Sequence, residues 1–106
     1  YVDRVKYMIK SGGENIYPAE IEQVINGDIR IEEAIVVKRV DKRWGEVPVV
    51  FVVRKDPALT EDDVENVCRR DLSSYKRPKA VFFIDEEDVP RSTTGKIQRH
   101  ELEARL

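Results

Sequence analysis

The chain holds one cysteine, one histidine and one tryptophan, and each scarcity removes a kind of chemistry. A lone Cys68 permits no internal disulfide, which fits a reducing cytoplasm, the expected location. A lone His100 argues against a histidine-based metal site. It also lacks an evident triad partner and reads as a surface residue. No apolar run approaches the roughly 18 residues a membrane helix needs. The longest run, around Val47 to Val53, contains a proline and has the length of a strand. No signal-peptide pattern stands at the start. Excess positive charge is missing too: the net charge is -2, unlike the basic balance of a general nucleic-acid binder.

What is present is a soluble globular composition, 38% charged and 41% apolar over 106 residues. That is one domain's worth, able to bury roughly two thirds of its surface around one modest core. The chain opens on Tyr1-Val2-Asp3-Arg4, with no methionine and no lead-in to the first element. The expectation is a piece of a longer protein.

Local patterns outline the elements. Val5 to Ile9 reads as a short strand, Ser11-Gly12-Gly13-Glu14-Asn15 as a turn, and Ile16-Tyr17 as extended chain, together a small hairpin. Pro18 suits the first position of a helix, where its missing N–H is harmless. Ile21, Val24 and Ile25 give that helix one apolar face, and Gly27 suits the residue past its end. Ala34 to Val37 and Val47 to Val53 are apolar, β-branched runs that read as buried strands. The polar stretch Asp41 to Glu46 joins them as a hairpin loop. Thr60-Glu61-Asp62-Asp63 resembles a capping box, with Val64, Val67, Cys68 and Leu72 on one face of the helix that follows. Lys79 to Ile84 reads as a third strand and Pro90 to Gly95 as a loop. Leu102 and Leu106 sit four apart on a final short helix. The order predicts an α+β domain: a small mixed or antiparallel sheet of about three strands, helices packed on it, and an N-terminal β-hairpin.

Three segments have the composition of sites. In Pro90-Arg91-Ser92-Thr93-Thr94-Gly95-Lys96 a polar, mobile-looking loop presents one lysine just after a glycine, which leaves backbone room near a phosphate or carboxylate. The phosphate-binding P-loop does not fit, since it needs glycine where Pro90 stands and Ser or Thr where Ile97 stands. Taken alone, the segment reads more readily as carrying an ordinary surface lysine. Gly12 and Gly13 permit positive φ and close approach of another chain, though locally a plain hairpin turn explains them. Tyr75-Lys76-Arg77-Pro78-Lys79 gathers three cations and an aromatic, suited to a phosphorylated nucleotide with the ring on its base. By itself it reads as a solvated charge run. Trp44 reads as packing, and Cys68 as part of an apolar helix face.

The order of the segments is more specific than any of them. Residues 3–22, Asp3-Arg4-Val5-Lys6-Tyr7-Met8-Ile9-Lys10-Ser11-Gly12-Gly13-Glu14-Asn15-Ile16-Tyr17-Pro18-Ala19-Glu20-Ile21-Glu22, resemble the hinge and core motif of the adenylate-forming, AMP-binding superfamily. That superfamily includes acyl-CoA synthetases, adenylation domains and luciferases. Trp44-Gly45-Glu46 is similar to its next motif, and Pro90 to Lys96 to its terminal catalytic-lysine motif. The resemblance spans residues 3–100 and corresponds to the family's small C-terminal lid domain, here residues 1–106, without the large N-terminal domain. It departs from the pattern at Asp3, where many members have glycine, and at Tyr7, where many have an acidic residue.

The resemblance implies two steps in the complete enzyme. A carboxylate attacks the α-phosphate of ATP to give acyl-adenylate and pyrophosphate. The C-terminal domain then rotates and helps the thiol of CoA attack the adenylate. By position, Lys96 matches the catalytic lysine, Arg4 a nucleotide-binding arginine and Lys6 the hinge. Gly12 and Gly13 match the turn lining the pantetheine tunnel. Arg77 and Lys79 match basic positions that hold CoA phosphates in some ligases, with Tyr75 placed to stack on adenine. ATP and CoA are the implied substrates. Mg²⁺ is expected with ATP but not held by this domain alone. The implied partners are the protein's own N-terminal domain, CoA and the acyl-adenylate, with no nucleic acid and no membrane span. The expected function is that of a carboxylic acid (fatty-acid-like)–CoA ligase, inactive as the isolated domain. Two alternatives stand beside it: an adenylation domain loading a carrier-protein phosphopantetheine, which the Tyr75, Arg77 and Lys79 cluster disfavours, and a non-catalytic interaction domain.

Overall fold

A computed structural model describes residues 7–106 as one α+β unit. Arg4, Lys6 and the start of the first expected strand lie outside the described residues. Two short strands, β1 (Ile9–Ser11) and β2 (Glu14–Ile16), form an antiparallel hairpin that pairs Ile9 with Ile16. Helix α1 (Pro18–Ile25) follows, with proline at its start and Ile21 and Ile25 fully buried. Burying each isoleucine contributes about 1.5–3 kcal/mol before entropy is counted.

Strands β3 (Ile31–Asp41) and β4 (Gly45–Arg54) make the long antiparallel ladder at the centre. Both outrun the apolar runs that mark them in the sequence. Their polar ends, such as Lys38, Arg39 and Glu46, continue the ladder beyond the core, so the expected hairpin loop shrinks to the three residues between the strands. After β4, helix α2 (Glu61–Asp71) crosses back to β5 (Val81–Phe83), which pairs with β4 in parallel. Parallel neighbours need a crossover connection, and α2 supplies it. A short helix α3 (Arg99–Glu103) comes last.

The sheet order is β2-β1-β4-β3, with β5 also paired to β4. The hairpin therefore belongs to the sheet, joined through Ser11 opposite Gly45, and among the described residues the strands number five. Counting it apart as three strands plus a hairpin misses this, because one pairing of a polar residue with a glycine leaves no apolar trace. The sheet is mixed, antiparallel except at β5.

The continuous apolar run of β4 has a physical reason, since both faces of the sheet are covered. Ala34, Val36, Val50 and Val52 pack with Ile21 and Ile25 of α1 and Val64 and Cys68 of α2. Ile35, Val37, Val49, Phe51 and Val53 pack on the other face with Val89 and Leu102. Leu106 does not join Leu102 there: α3 stops at Glu103 and Leu106 is 42% exposed. The spacing of four holds only while the helix lasts.

Candidate functional site

Residues 90–98 form a closed small hairpin rather than an open loop. Arg91 and Ile97 bridge it, and Gln98 N–H donates to the Pro90 carbonyl at 2.9 Å. Ser92 N–H donates to the Lys96 carbonyl at 2.8 Å, and its Oγ accepts from Lys96 N–H at 3.2 Å. Below the tip, the Arg91 guanidinium meets Glu33 at 2.6 Å and Glu86 at 2.9 Å. Ile97 packs on the sheet, which turns the exposed Lys96 outward at the mouth of a depression of about 390 Å³. Tyr7, Ser92 and residues 96–100 line it.

Just beyond the lysine, Arg99 is deeply tied in. Its Nη1 donates to Glu22 Oε2 at 2.6 Å and to the Val36 carbonyl at 2.8 Å. Glu22 in turn accepts the Val36 N–H at 2.8 Å. The guanidinium also lies 5.4 Å from the centre of the Tyr7 ring. The Tyr7 hydroxyl donates to Glu103 at 2.5 Å and accepts the Lys38 N–H at 3.0 Å. Burial first, then the Glu103 hydrogen bond, pushes its ionisation well above that of an ordinary phenol.

A second groove, of about 200 Å³, shares no lining residue with the first. Ser11, Gly12, Glu14, Trp44, Ser74, Tyr75 and Lys79 line it. Gly12 N–H donates to the Trp44 carbonyl at 2.8 Å, and the indole lies against the glycine. A Cβ on Gly12 would come within 2.7 Å of Trp44 Cε3, and its φ of +57° is one that glycine adopts freely. Gly13, at φ +87°, faces open space and is not among the lining residues.

The cation run divides. Lys76 is bound to Glu20 at 2.6 Å. Arg77 turns back on α2, its Nε donating to the Leu72 carbonyl at 3.0 Å and its Nη2 to the Arg69 carbonyl at 3.1 Å. It satisfies carbonyls that a helix end leaves open, which is a structural use of the side chain. Lys79 is exposed and lines both the Tyr75 groove and an adjoining depression of about 300 Å³ with Arg69 and Arg77. The structure thus brings Gly12, Tyr75 and Lys79 together, with Arg77 beside them and Lys96 elsewhere. Burial pushes the Cys68 thiol up to about 11, which removes it as a nucleophile near neutral pH.

Trp44, Tyr7, Glu22 and Arg99 are the site-lining or site-supporting residues that pattern reading leaves out. Trp44 reads as packing and is 43% exposed at the groove. Glu22 and Arg99 stand 77 positions apart, beyond any local spacing rule. Among the described residues, no three His, Cys, Asp or Glu come together as a group that could hold a metal ion. No helix among them is long and apolar enough to cross a membrane.

The AMP-binding enzyme C-terminal domain family matches residues 20–96, with the Lys96 hairpin at its end. The chain belongs to this family. It is 42% identical over 104 residues to a 2-succinylbenzoate–CoA ligase of Listeria monocytogenes, covering 98% of the chain and 22% of that protein. Among solved structures, it resembles o-succinylbenzoate CoA synthetase of Bacillus subtilis with the acyl-adenylate bound. There the TM-score is 0.87 at 37% identity, over 96% of this chain and 20% of that one. A double mutant of the same synthetase, bound to a product analogue, gives 0.84 at 39%, over 92% and 20%. A fatty acyl CoA synthetase of Mycobacterium tuberculosis gives 0.84 at 42%, over 97% and 21%. The chain spans about a fifth of the length of the relatives it matches.

Proposed function

We propose that this chain is the C-terminal lid domain of an ATP-dependent carboxylic acid–CoA ligase that works through an acyl-adenylate. One observation carries the reading: two separate faces, one ending in the Lys96 ammonium and the other in a bare glycine turn beside Trp44, Tyr75 and Lys79. Each suits a different half of the reaction.

In the first half a carboxylate oxygen attacks the α-phosphorus of ATP, and pyrophosphate leaves with the electrons of the broken P–O bond. Two anions must approach. A cation between them offsets the repulsion and stabilises the developing charge, worth on the order of 3 kcal/mol. Lys96, exposed on a braced hairpin, is the group for that task. In the second half a thiol sulfur attacks the acyl carbon and AMP leaves. The thin pantetheine arm passes over the glycine turn beside Gly13, where a Cβ would meet nothing within 4 Å, while the bare face of Gly12 seats the Trp44 indole. Lys79 takes a CoA phosphate and Tyr75 stacks on the adenine. Arg77 assists from the adjoining depression while its Nε and Nη2 hold α2. The Bacillus subtilis double mutant places an arginine and a lysine two residues apart, the spacing of Arg77 and Lys79, and was captured with a CoA-product analogue. Arg4 and Lys6 keep the nucleotide-binding and hinge roles. Mg²⁺ accompanies ATP, and its ligands are placed in the partner N-terminal domain.

The acid is chosen outside this domain. The chain is 42% identical both to a succinylbenzoate ligase and to a fatty acyl CoA synthetase, so its own residues follow the shared chemistry rather than the acyl group. A fatty-acid-like substrate is one reading, and an aromatic dicarboxylate is equally compatible.

The test is Lys96→Ala in the enzyme that carries this domain. Pyrophosphate exchange should fall by on the order of 100-fold or more, while thioester formation from supplied acyl-adenylate survives. Undiminished exchange would refute the assignment.

A further inference from the structure

We propose that Glu22, Arg99 and Tyr7 act as a positioning unit that sets the reach of Lys96. The inference rests on the adenylation role given to that lysine.

Arg99 lies three residues after Lys96, where the small hairpin ends and α3 begins. The hairpin's own hydrogen bonds fix its shape but not its place on the domain. Among the described residues, its anchors include Ile97 and Arg91 on one side and Arg99 on the other. Arg99 is the anchor that reaches furthest. It joins α3 to α1 through Glu22, to β3 through the Val36 carbonyl, and to the entry of the described chain through the Tyr7 ring. The Tyr7 hydroxyl is itself held twice, donating to Glu103 of α3 and accepting from the amide of Lys38 in β3. Tyr7 and Arg99 both line the depression at whose mouth Lys96 stands.

The polarity of the unit is fixed by one residue, through the two peptide groups that flank it. Val36 gives its N–H to Glu22 and its carbonyl to Arg99. A carboxylate is needed on the α1 side and a cation on the α3 side, and the reverse would set donor against donor and acceptor against acceptor. The side chains are only 25% and 16% exposed, so the pair is screened less than a surface ion pair. Loosening it would let the ammonium wander from the point where carboxylate and α-phosphate meet. A displacement of about 1 Å is enough to cost on the order of 100-fold in rate.

The experiment uses the complete enzyme and the two half-reactions, with the thermal midpoint as a check on folding. Glu22→Gln preserves shape and hydrogen bonding to the Val36 amide but removes the charge, and Arg99→Lys keeps a cation without the fork. Both should lower pyrophosphate exchange tenfold or more, with thioester formation from supplied acyl-adenylate changed less than twofold. Combining either with Lys96→Ala should give no further loss of exchange than Lys96→Ala alone, because the pair acts through the lysine. The exchanged pair Glu22→Arg with Arg99→Glu should not restore exchange, whereas a free-standing ion pair would. Equal loss in both half-reactions, or losses that multiply with that of Lys96→Ala, would reduce the unit to a structural role and overturn the proposal. Normal exchange in both single variants, with Lys96→Ala inactive, would overturn it while leaving the lysine's role standing. Normal exchange in Lys96→Ala itself would remove the reading beneath it.

Discussion

Asp28 shows how much a single side chain can do where α1 gives way to β3. Its carboxylate accepts from the Arg30 backbone N–H at 2.9 Å and from the guanidinium at 3.0 and 2.7 Å. The Arg30 side chain first, then its backbone, holds the Asp28 carboxyl down at about 2. A carboxyl with a lowered folded-state pKa adds stability above its ordinary value of about 4. That stability is lost as the pH falls from there towards about 2. Asp28→Asn should therefore lower the thermal midpoint at pH 7, have little effect at pH 2, and flatten the decline between. Thermal scans at several pH values check this, and an unchanged slope would refute it. At this scale the sequence was only partly readable. Lys96 and Lys79 are exposed where a glycine-lysine tip and a charge run suggested exposure. Arg77 was not readable, because its partners are carbonyls of a helix end whose position depends on the whole turn between α2 and β5.

At the scale of elements, the capping box was legible from four letters. Thr60 Oγ1 accepts from Asp63 N–H at 3.2 Å, and Asp63 accepts from Thr60 N–H at 3.0 Å. Three acids open α2, and Arg69 and Arg70 close it, in the sense the helix dipole favours. Thr60→Ala should cost about 1 kcal/mol. For a domain of this size that is a fall of roughly 4–8 °C in thermal midpoint; no change would mean the cap is redundant. The apolar runs located β3 and β4 because burial on both faces writes itself as unbroken hydrophobicity. Their full lengths were hidden, since the added ladder residues are polar and bond through backbone alone. The hairpin's place in the sheet was hidden for the same reason. Likewise, the sequence suggested a mobile segment at Pro90 to Lys96 because serine and threonine read as loop. Their hydroxyls instead close the turn, Ser92 Oγ lying 2.9 Å from Thr94 Oγ1.

For the whole molecule, the proposed function needs one domain with two working faces. The sheet holds the glycine groove at its β1–β2 and β3–β4 turns, apart from the lysine hairpin. Its one face carries α1 and α2, and its other face carries the Val89 and Ile97 ends of the lysine hairpin. Under the proposed function, a rotation of the domain would present one face and withdraw the other. Under the proposed function, which gives the acid and most of the ATP to a partner domain, the 106-residue chain alone should fold but show no pyrophosphate exchange. Detectable exchange by it alone would contradict that division of labour.

The most direct test compares two variants of the complete enzyme, Lys96→Ala and Gly13→Ala, in both half-reactions. A Cβ on Gly13 meets no neighbouring atom within 4 Å, so under the proposed function the new methyl group enters the path of the thiol arm; its φ of +87° strains any L residue, and the thermal midpoint of the variant is therefore measured alongside. Reciprocal losses are expected: Lys96→Ala loses pyrophosphate exchange and keeps thioester formation from acyl-adenylate, while Gly13→Ala keeps exchange and loses thioester formation. If both variants impaired the same half-reaction, the two faces would not be separate working surfaces and the account would fail.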